Sequence, residues 1–214
     1  MDKKVKIIAE IGINHNGDLN LAKRMIDVAA VAGCDYVKFQ KRNPDVCVPE
    51  EQKSKIRQTP WGEMTYIDYK YKIEFGKREY DEIDIYCKER NIGWFASVWD
   101  SDSVNFMSQY NDITKIPSAL ITDKELPQYA REKFDQLIIS TGMSTEEEIE
   151  ECINVCDPDV IMHTNSTYPS PINELNLNYI IWLKTKYGKE VGYSGHEYGL
   201  VTTFATVPMG VTWI

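Results

Sequence analysis

Residues 5–40 decide the fold, and they read VKIIAEIGINHNGDLNLAKRMIDVAAVAGCDYVKFQ. The apolar runs at Val5–Gly12 and Tyr36–Gln40 are typical of buried strands. Between them, Leu19–Ala32 has the 3.6-residue apolar period of an amphipathic helix. Two near-continuous apolar strands joined by a helix indicate a parallel βαβ unit.

The same alternation of strand and helix continues along the chain. Eight strand candidates with helical patterns between them predict an α/β fold, a TIM (β/α)8 barrel formed by one domain of residues 1–214. No helical pattern follows the eighth strand, so we expect the last barrel helix to be missing. The remaining strands are predicted at Gly93–Val98, Ile113–Ser118, Gln136–Thr141, Val160–Thr164, Glu190–Gly195 and Val211–Ile214, and further helices at Arg78–Arg90, Thr145–Cys156 and Asn178–Tyr187.

One connection breaks the regular pattern. The stretch from Gln40 to about Arg78 is far longer than the 2–6 residues usual for a βα loop. It is rich in aromatic residues, and long loops on the catalytic side of a scaffold often carry function. We therefore expect a lid or specificity loop here. Its aromatic residues are Trp61, Tyr66, Tyr69, Tyr71 and Phe75.

Composition excludes several classes of function. The 24 basic and 33 acidic side chains leave a formal charge of −9, which argues against binding nucleic acid or an anionic membrane. No stretch approaches the roughly 20 apolar residues that a membrane-spanning helix needs, and the N-terminus has the pattern of a strand rather than of a signal peptide. The five scattered cysteines indicate reduced thiols and a cytoplasmic protein.

Polar residues recur where each predicted strand ends. In a TIM barrel the C-terminal strand ends meet at one mouth, where the active site lies, so we expect these side chains to converge. The polar residues of strands one to seven are Glu10, Lys38 with Gln40, Ser97, Lys115 with Ser118, Ser140, His163 with Asn165 and Ser166, and Ser194 with His196.

These residue types indicate an anion site. Lys38 and Lys115 can hold phosphate and carboxylate groups, and Glu10 is a candidate acid or base among them. His196 could bind a divalent metal, although one histidine does not make a metal site. A buried lysine could also form a Schiff base, which keeps an aldolase reaction open. The hydroxyl donors expected to assist the two lysines are Ser97, Ser118, Ser140 and Ser194.

Five motifs in sequence order resemble those of the sialic acid synthase family, which comprises N-acetylneuraminate synthase and its legionaminate and pseudaminate relatives. Any one of them would be a weak signal, whereas five in order with barrel spacing are a strong one. The resemblance covers essentially the whole chain. The motifs are AEIGINHNG at 9–17, VKFQ at 37–40, ISTGM at 139–143, HTNSTYP at 163–169 and GYSGH at 192–196.

The resemblance implies a transferase of the EC 2.5.1 type. Such an enzyme condenses phosphoenolpyruvate with an N-acetylated amino sugar of the N-acetylmannosamine type, forming a nine-carbon 2-keto sugar acid and releasing phosphate. It implies a divalent metal, Mn²⁺ or Mg²⁺, no organic cofactor, and a homodimer for the full-length protein. Carried over by motif, the catalytic residues would be Glu10, Gln40 and Tyr168, the substrate-binding residues Lys38, Ser97, Lys115, Ser118, Ser140, Asn165, Ser166 and Ser194, and the metal ligand His196.

Two departures from the family pattern bear on activity. Many members have Ser-Asp-His where this chain has Gly195 between Ser194 and His196. The chain also ends before the Glu-x-His whose histidine is the family's second metal ligand, and before the antifreeze-like domain. We therefore expect a barrel truncated at strand eight, with weak manganese binding and no turnover by these 214 residues alone. The alternatives are a Schiff-base aldolase and a non-catalytic remnant.

Overall fold

A computed structural model describes residues 4–214, which form two compact units. The first unit comprises Ala9–Tyr110, and the second comprises residues 4–8 with Asn111–Ile214. Parallel strands alternate with helices in each unit, so the predicted α/β class is confirmed. No helix within the described residues is long and apolar enough to cross a membrane.

The first unit is built on three neighbouring parallel strands, taken in the order β1, β2, β5. An antiparallel pair, β3 and β4, forms a separate hairpin. The elements are β1 (Ile8–Gly12), α1 (Leu19–Val31), β2 (Tyr36–Lys41), α2 (Pro44–Cys47), α3 (Glu50–Lys53), β3 (Ile56–Thr59), β4 (Gly62–Thr65), α4 (Tyr66–Ile73), α5 (Lys77–Glu89), β5 (Gly93–Val98) and α6 (Ser101–Met107).

Strand β2 explains why polar residues reach a buried position. Successive side chains of a strand point to opposite faces. Val37 and Phe39 therefore share one face, and the Phe39 ring packs edge-on against Tyr80. Lys38 and Gln40 share the other face, and Gln40 pairs with Ser97 in the register with β5. The strand thus buries one apolar face while its other face carries the predicted site residues.

The connection between β2 and α5 differs from the predicted loop. It contains two short helices, a hairpin and the eight-residue helix α4. Helix α4 begins at a Thr65 N-cap, whose hydroxyl accepts a hydrogen bond from the Asp68 backbone N–H at 3.2 Å. These elements are four to eight residues long, too short to show a clear apolar period, and this is why the sequence pattern did not reveal them.

The second unit has four parallel strands in chain order. Thr145 is the N-cap of its helix α8, where a capping box with Glu148 satisfies two backbone donors. The start expected at Thr145 is therefore confirmed. The elements are β6 (Ile113–Ile116), α7 (Glu125–Lys133), β7 (Gln136–Ser140), α8 (Glu146–Cys156), β8 (Val160–His163), α9 (Asn178–Tyr187), β9 (Glu190–Tyr193) and α10 (Val201–Thr206).

The predicted eighth strand is reduced to bridges at Trp213. This residue pairs in parallel with Lys6 on one side and with Gly192 on the other. Four other strand predictions ran one or two residues too far at the C-terminal end, because Ser118, Thr141, Thr164 and Gly195 already belong to the following connections. Ser118 begins a 3₁₀ turn directly after Pro117, which has no N–H to donate to the sheet.

Candidate active site

The predicted site residues of the first unit surround Lys38. This residue is only 5% exposed, and its Nζ donates to Ser97 Oγ at 2.9 Å and forms an ion pair with Glu10. A buried ammonium group needs such partners because its desolvation is costly. The Glu10 side chain remains 48% exposed. The unit therefore presents a cation and an accessible carboxylate side by side.

Gly12 keeps the space around Glu10 open. Its φ is +56°, a conformation that favours glycine. A Cβ at this position would lie 2.9 Å from Glu10 Oε1 and 3.4 Å from Gln40 Nε2. The glycine at the end of β1 therefore lets these two side chains occupy the same small volume.

In the second unit, Lys115 and several hydroxyl groups lie near the strand ends. Lys115 is 7% exposed, and its Nζ donates to Ser194 Oγ at 3.4 Å. Ser140 Oγ is buried and has no hydrogen-bond partner among residues 4–214. An unpaired buried hydroxyl costs free energy unless a ligand or water satisfies it. This arrangement suits an anionic ligand.

Gly142 brings two further predicted hydroxyls together. Its backbone N–H donates to Ser118 Oγ at 3.0 Å. A Cβ on Gly142 would collide with Ser166 Oγ and lie 2.9 Å from Ser118 Oγ. Ser118 and Ser166 thus face the same backbone segment, which only a glycine leaves uncovered.

An open cleft of about 710 Å³ within the second unit is lined in part by Ser166. His163 lies in its wall, with Nε2 donating to the Leu175 carbonyl at 2.6 Å and Nδ1 buried without a partner in the described part of the chain. Burial lowers the pKa of His163, so its ring is neutral near pH 7. The lining residues are Thr141, Met143, Ser144, Thr145, His163, Thr164, Asn165, Ser166, Thr167, Glu174, Asn176 and Tyr179.

His196 has the geometry of a single metal ligand. Its Nδ1 lies 2.7 Å from the Asn165 carbonyl, which can only accept, so Nδ1 carries the proton and Nε2 carries the lone pair. The exposed Tyr168 ring stands edge-on to the imidazole, with 5.2 Å between the centroids. Within residues 4–214, no three His, Cys, Asp or Glu side chains are placed to share a metal ion. His196 therefore presents one nitrogen lone pair, at Nε2, and has no cluster of further ligand side chains around it in the described residues.

We expect a polypeptide of residues 1–214 to bind Mn²⁺ weakly. One imidazole and water molecules supply few of the ligands that Mn²⁺ needs, and this ion lies low in the Irving–Williams order. Electron paramagnetic resonance titration of free Mn²⁺ should give the same weak binding for the parent chain and for His196→Ala. Stoichiometric binding that is lost in His196→Ala would contradict this prediction.

Glu197 occupies the space that a side chain at position 195 would need. A Cβ at Gly195 would lie 2.6 Å from Glu197 Oε2 and 2.7 Å from the Tyr193 ring. Burial alone would raise the pKa of Glu197, but hydrogen bonds from Thr202, from backbone N–H groups and from Tyr193 together lower it. Of the two positions that flank His196, position 195 is therefore a glycine, and the carboxylate belongs to Glu197.

Two residues near the predicted site were missed by sequence reasoning. Arg42 donates to Gln40 Oε1, and Glu197 accepts from the Tyr193 hydroxyl at 2.9 Å. Arg42 lies two residues after the VKFQ motif, and Glu197 lies one residue after the GYSGH motif. Extending the motifs by two residues would have included both.

Comparison with known proteins finds relatives along nearly the whole chain. A family model described as the NeuB family matches residues 25–214. The N,N'-diacetyllegionaminic acid synthase of Campylobacter jejuni is 35% identical over 97% of this chain and 65% of its own length. The N-acetylneuraminate-9-phosphate synthase of Drosophila melanogaster is 35% identical over 96% of this chain and 58% of its own length. The chain thus spans about three-fifths of the curated relatives it matches.

A solved structure shares the fold along the whole chain. The N-acetylneuraminic acid (sialic acid) synthetase of Leptospira borgpetersenii, crystallised with citrate, superposes with a TM-score of 0.89 at 32% identity. The superposition covers 100% of this chain and 72% of that one. A truncated 3-deoxy-D-arabino-heptulosonate 7-phosphate synthase of Thermotoga maritima, 13% identical with a TM-score of 0.68, shares the fold alone.

Proposed function

Because this chain belongs to the NeuB family, we propose that it forms the catalytic part of a synthase that joins phosphoenolpyruvate to an N-acetylated amino sugar. The products would be a nine-carbon 2-keto sugar acid and inorganic phosphate. The observation that carries the proposal is the Lys38–Glu10 pair, in which a buried ammonium holds a half-exposed carboxylate. This pair supplies both functions that the reaction needs, a cation for an anionic substrate and an acid or base.

The lysines and hydroxyls would bind phosphoenolpyruvate. The family resemblance assigns Lys38 and Lys115 to this substrate, and each is a buried ammonium with a serine partner. Charge-assisted hydrogen bonds to phosphate and carboxylate oxygens are about twice as strong as neutral ones. The resemblance also assigns to phosphoenolpyruvate the Ser140 hydroxyl, which has no partner within residues 4–214. Ser97, Ser118, Ser166 and Ser194 complete the proposed donor set.

Glu10 would move the protons. The C3 carbon of phosphoenolpyruvate forms a bond to the sugar aldehyde carbon, whose oxygen takes up a proton and becomes a hydroxyl, and water then adds to C2. Glu10 accepts the proton of that water while Lys38 keeps its carboxylate in place. The resulting tetrahedral carbon expels phosphate as the bond from C2 to the bridging oxygen breaks, and the remaining C2 hydroxyl loses its proton to give the ketone. A divalent ion held in part by His196 would polarise the aldehyde as a Lewis acid. Gln40 and Tyr168 are proposed to contact the sugar.

The ion pair of Lys38 disfavours the aldolase reaction at this residue. The Lys38 Nζ already contacts Glu10 and donates to Ser97 Oγ at 2.9 Å, and a carbonyl carbon would have to displace these partners to form a Schiff base. Borohydride treatment in the presence of pyruvate should therefore leave Lys38 unmodified, and mass spectrometry of the digested protein measures this directly.

The reaction is tested by phosphate release from phosphoenolpyruvate in the natural protein at its full length. We expect release only when an N-acetylated amino sugar is present, and loss of release with chelator. Glu10→Gln should abolish release while phosphoenolpyruvate still binds in calorimetry, because the carboxylate acts on protons rather than on the anion. Chelator-resistant turnover with borohydride trapping would favour the aldolase, and no turnover with any amino sugar would favour a non-catalytic role.

A further inference from the structure

Arg42 lies directly after β2 and folds its side chain back toward the site. It is 8% exposed, and its guanidinium carbon lies 4.2 Å from the centre of the Trp99 ring. Its Nη2 donates a hydrogen bond to Gln40 Oε1. Its backbone N–H donates to Glu74 Oε1 at 3.1 Å. Both the backbone and the guanidinium plane of Arg42 are therefore held in place.

The chemistry of arginine decides which way the Gln40 amide faces. A guanidinium carries five N–H donors and no acceptor. The Gln40 atom in contact with it must be the carbonyl oxygen, because a flipped amide would place donors against donors. The two N–H donors of Gln40 Nε2 then point to the opposite side. Nε2 lies on the side of Gly12, where a Cβ would be 3.4 Å from it and 2.9 Å from Glu10 Oε1.

Other contacts fix the Gln40 backbone, so only its side chain is left to be oriented. The Tyr80 hydroxyl donates to the Gln40 carbonyl at 3.2 Å, and Gln40 is in register with Ser97 of the neighbouring strand. The Arg42 Nε–H is buried and finds no partner among residues 4–214. The guanidinium thus leaves one donor unpaired while it makes the Gln40 contact.

We propose that Arg42 is a positioning residue that holds the Gln40 amide with its N–H donors directed beside Glu10. Gln40 would then recognise an acceptor oxygen of the ligand, such as a carbonyl or ether oxygen, and discriminate against a ligand that offers only a donor. The sugar contact of Gln40 rests on the proposed function, whereas the orientation of its amide does not.

The test combines Arg42→Met with Gln40→Ala. Methionine keeps an apolar stem beside Trp99 but has no donor. In nuclear magnetic resonance spectra, the side-chain NH₂ pair of Gln40 is identified by its loss in Gln40→Ala. In Arg42→Met we expect the chemical shifts of this pair to change toward those of a freely rotating amide and its resonance lines to broaden. Arg57→Met is the matched control, since Arg57 also donates to a glutamine, Gln52, at 3.3 Å and stacks on Tyr66, but is exposed.

Kinetics with the full-length protein separate positioning from folding. Arg42→Met should raise KM for the amino sugar about tenfold, as expected for the loss of one oriented hydrogen bond, with little change in KM for phosphoenolpyruvate. In the Gln40→Ala background, Arg42→Met should have no further effect. Should Arg42→Met unfold the chain, Arg42→Lys takes its place and is expected to shift the Gln40 signal partially.

The proposal is overturned if the Gln40 NH₂ pair is unchanged in Arg42→Met, or if the effects of the two substitutions on KM multiply. A shifted NH₂ pair in a protein that turns over no amino sugar would instead refute the proposed function and leave Arg42 as the positioning residue of Gln40.

Discussion

Lys115→Ala should weaken phosphoenolpyruvate binding by roughly 2–4 kcal/mol, or about 30- to 1000-fold. Lys115 is a buried ammonium whose Nζ donates to Ser194 Oγ at 3.4 Å. Alanine would remove a charge-assisted contact and leave the anion poorly compensated. Isothermal titration calorimetry with phosphoenolpyruvate measures the change.

Two further variants make this result specific. Lys115→Arg should restore binding only in part, because the planar guanidinium directs its N–H donors differently from an ammonium group. Lys124→Ala is the matched control, since the exposed Lys124 pairs with Glu151 in the same unit and should leave affinity unchanged. Unchanged affinity in Lys115→Ala would remove this lysine from the anion site.

Acid should destabilise the fold through His15. This side chain is buried, stacks on the Phe75 ring with 3.9 Å between the centroids, and accepts the Gly17 N–H at Nδ1. Burial lowers the pKa of His15 from 6.5 to about 4. Between these two pH values the unfolded chain binds a proton that the folded chain does not, so stability falls as pH decreases. We expect a loss of about 3 kcal/mol from this residue by pH 4.

Urea unfolding at several pH values between 7 and 4 tests this prediction. His15→Gln is expected to be less stable at pH 7, because the ring contacts are lost, but to lose less of its remaining stability as pH falls. The relevant quantity is the difference between the two pH slopes. Equal slopes for the parent chain and for His15→Gln would show that His15 does not carry the effect.

Much of the candidate site could be predicted from strand ends. Lys38, Lys115 and Ser140 lie on strands whose apolar pattern is clear, so their location on the sheet followed from the sequence. The pairing of Lys38 with Glu10 did not follow, because these residues are distant along the chain and meet only when β1 and β2 are neighbours. The Arg42 contact was missed for a different reason, since it depends on a side chain that folds back along its own strand.

The sequence by itself determined the alternation of strands and helices, the start of α8 at Thr145 and the faces of β2, because these depend on residue spacing and on local capping bonds. Only the tertiary structure decided which groups are paired or unpaired. Glu197 lies in the space left by Gly195, and the Asn165 carbonyl orients the Nε2 lone pair of His196. The predicted loop between β2 and α5 contains two short helices, a hairpin and α4. The physical reason is that burial and hydrogen-bond partners depend on residues far apart in sequence, which no local pattern records.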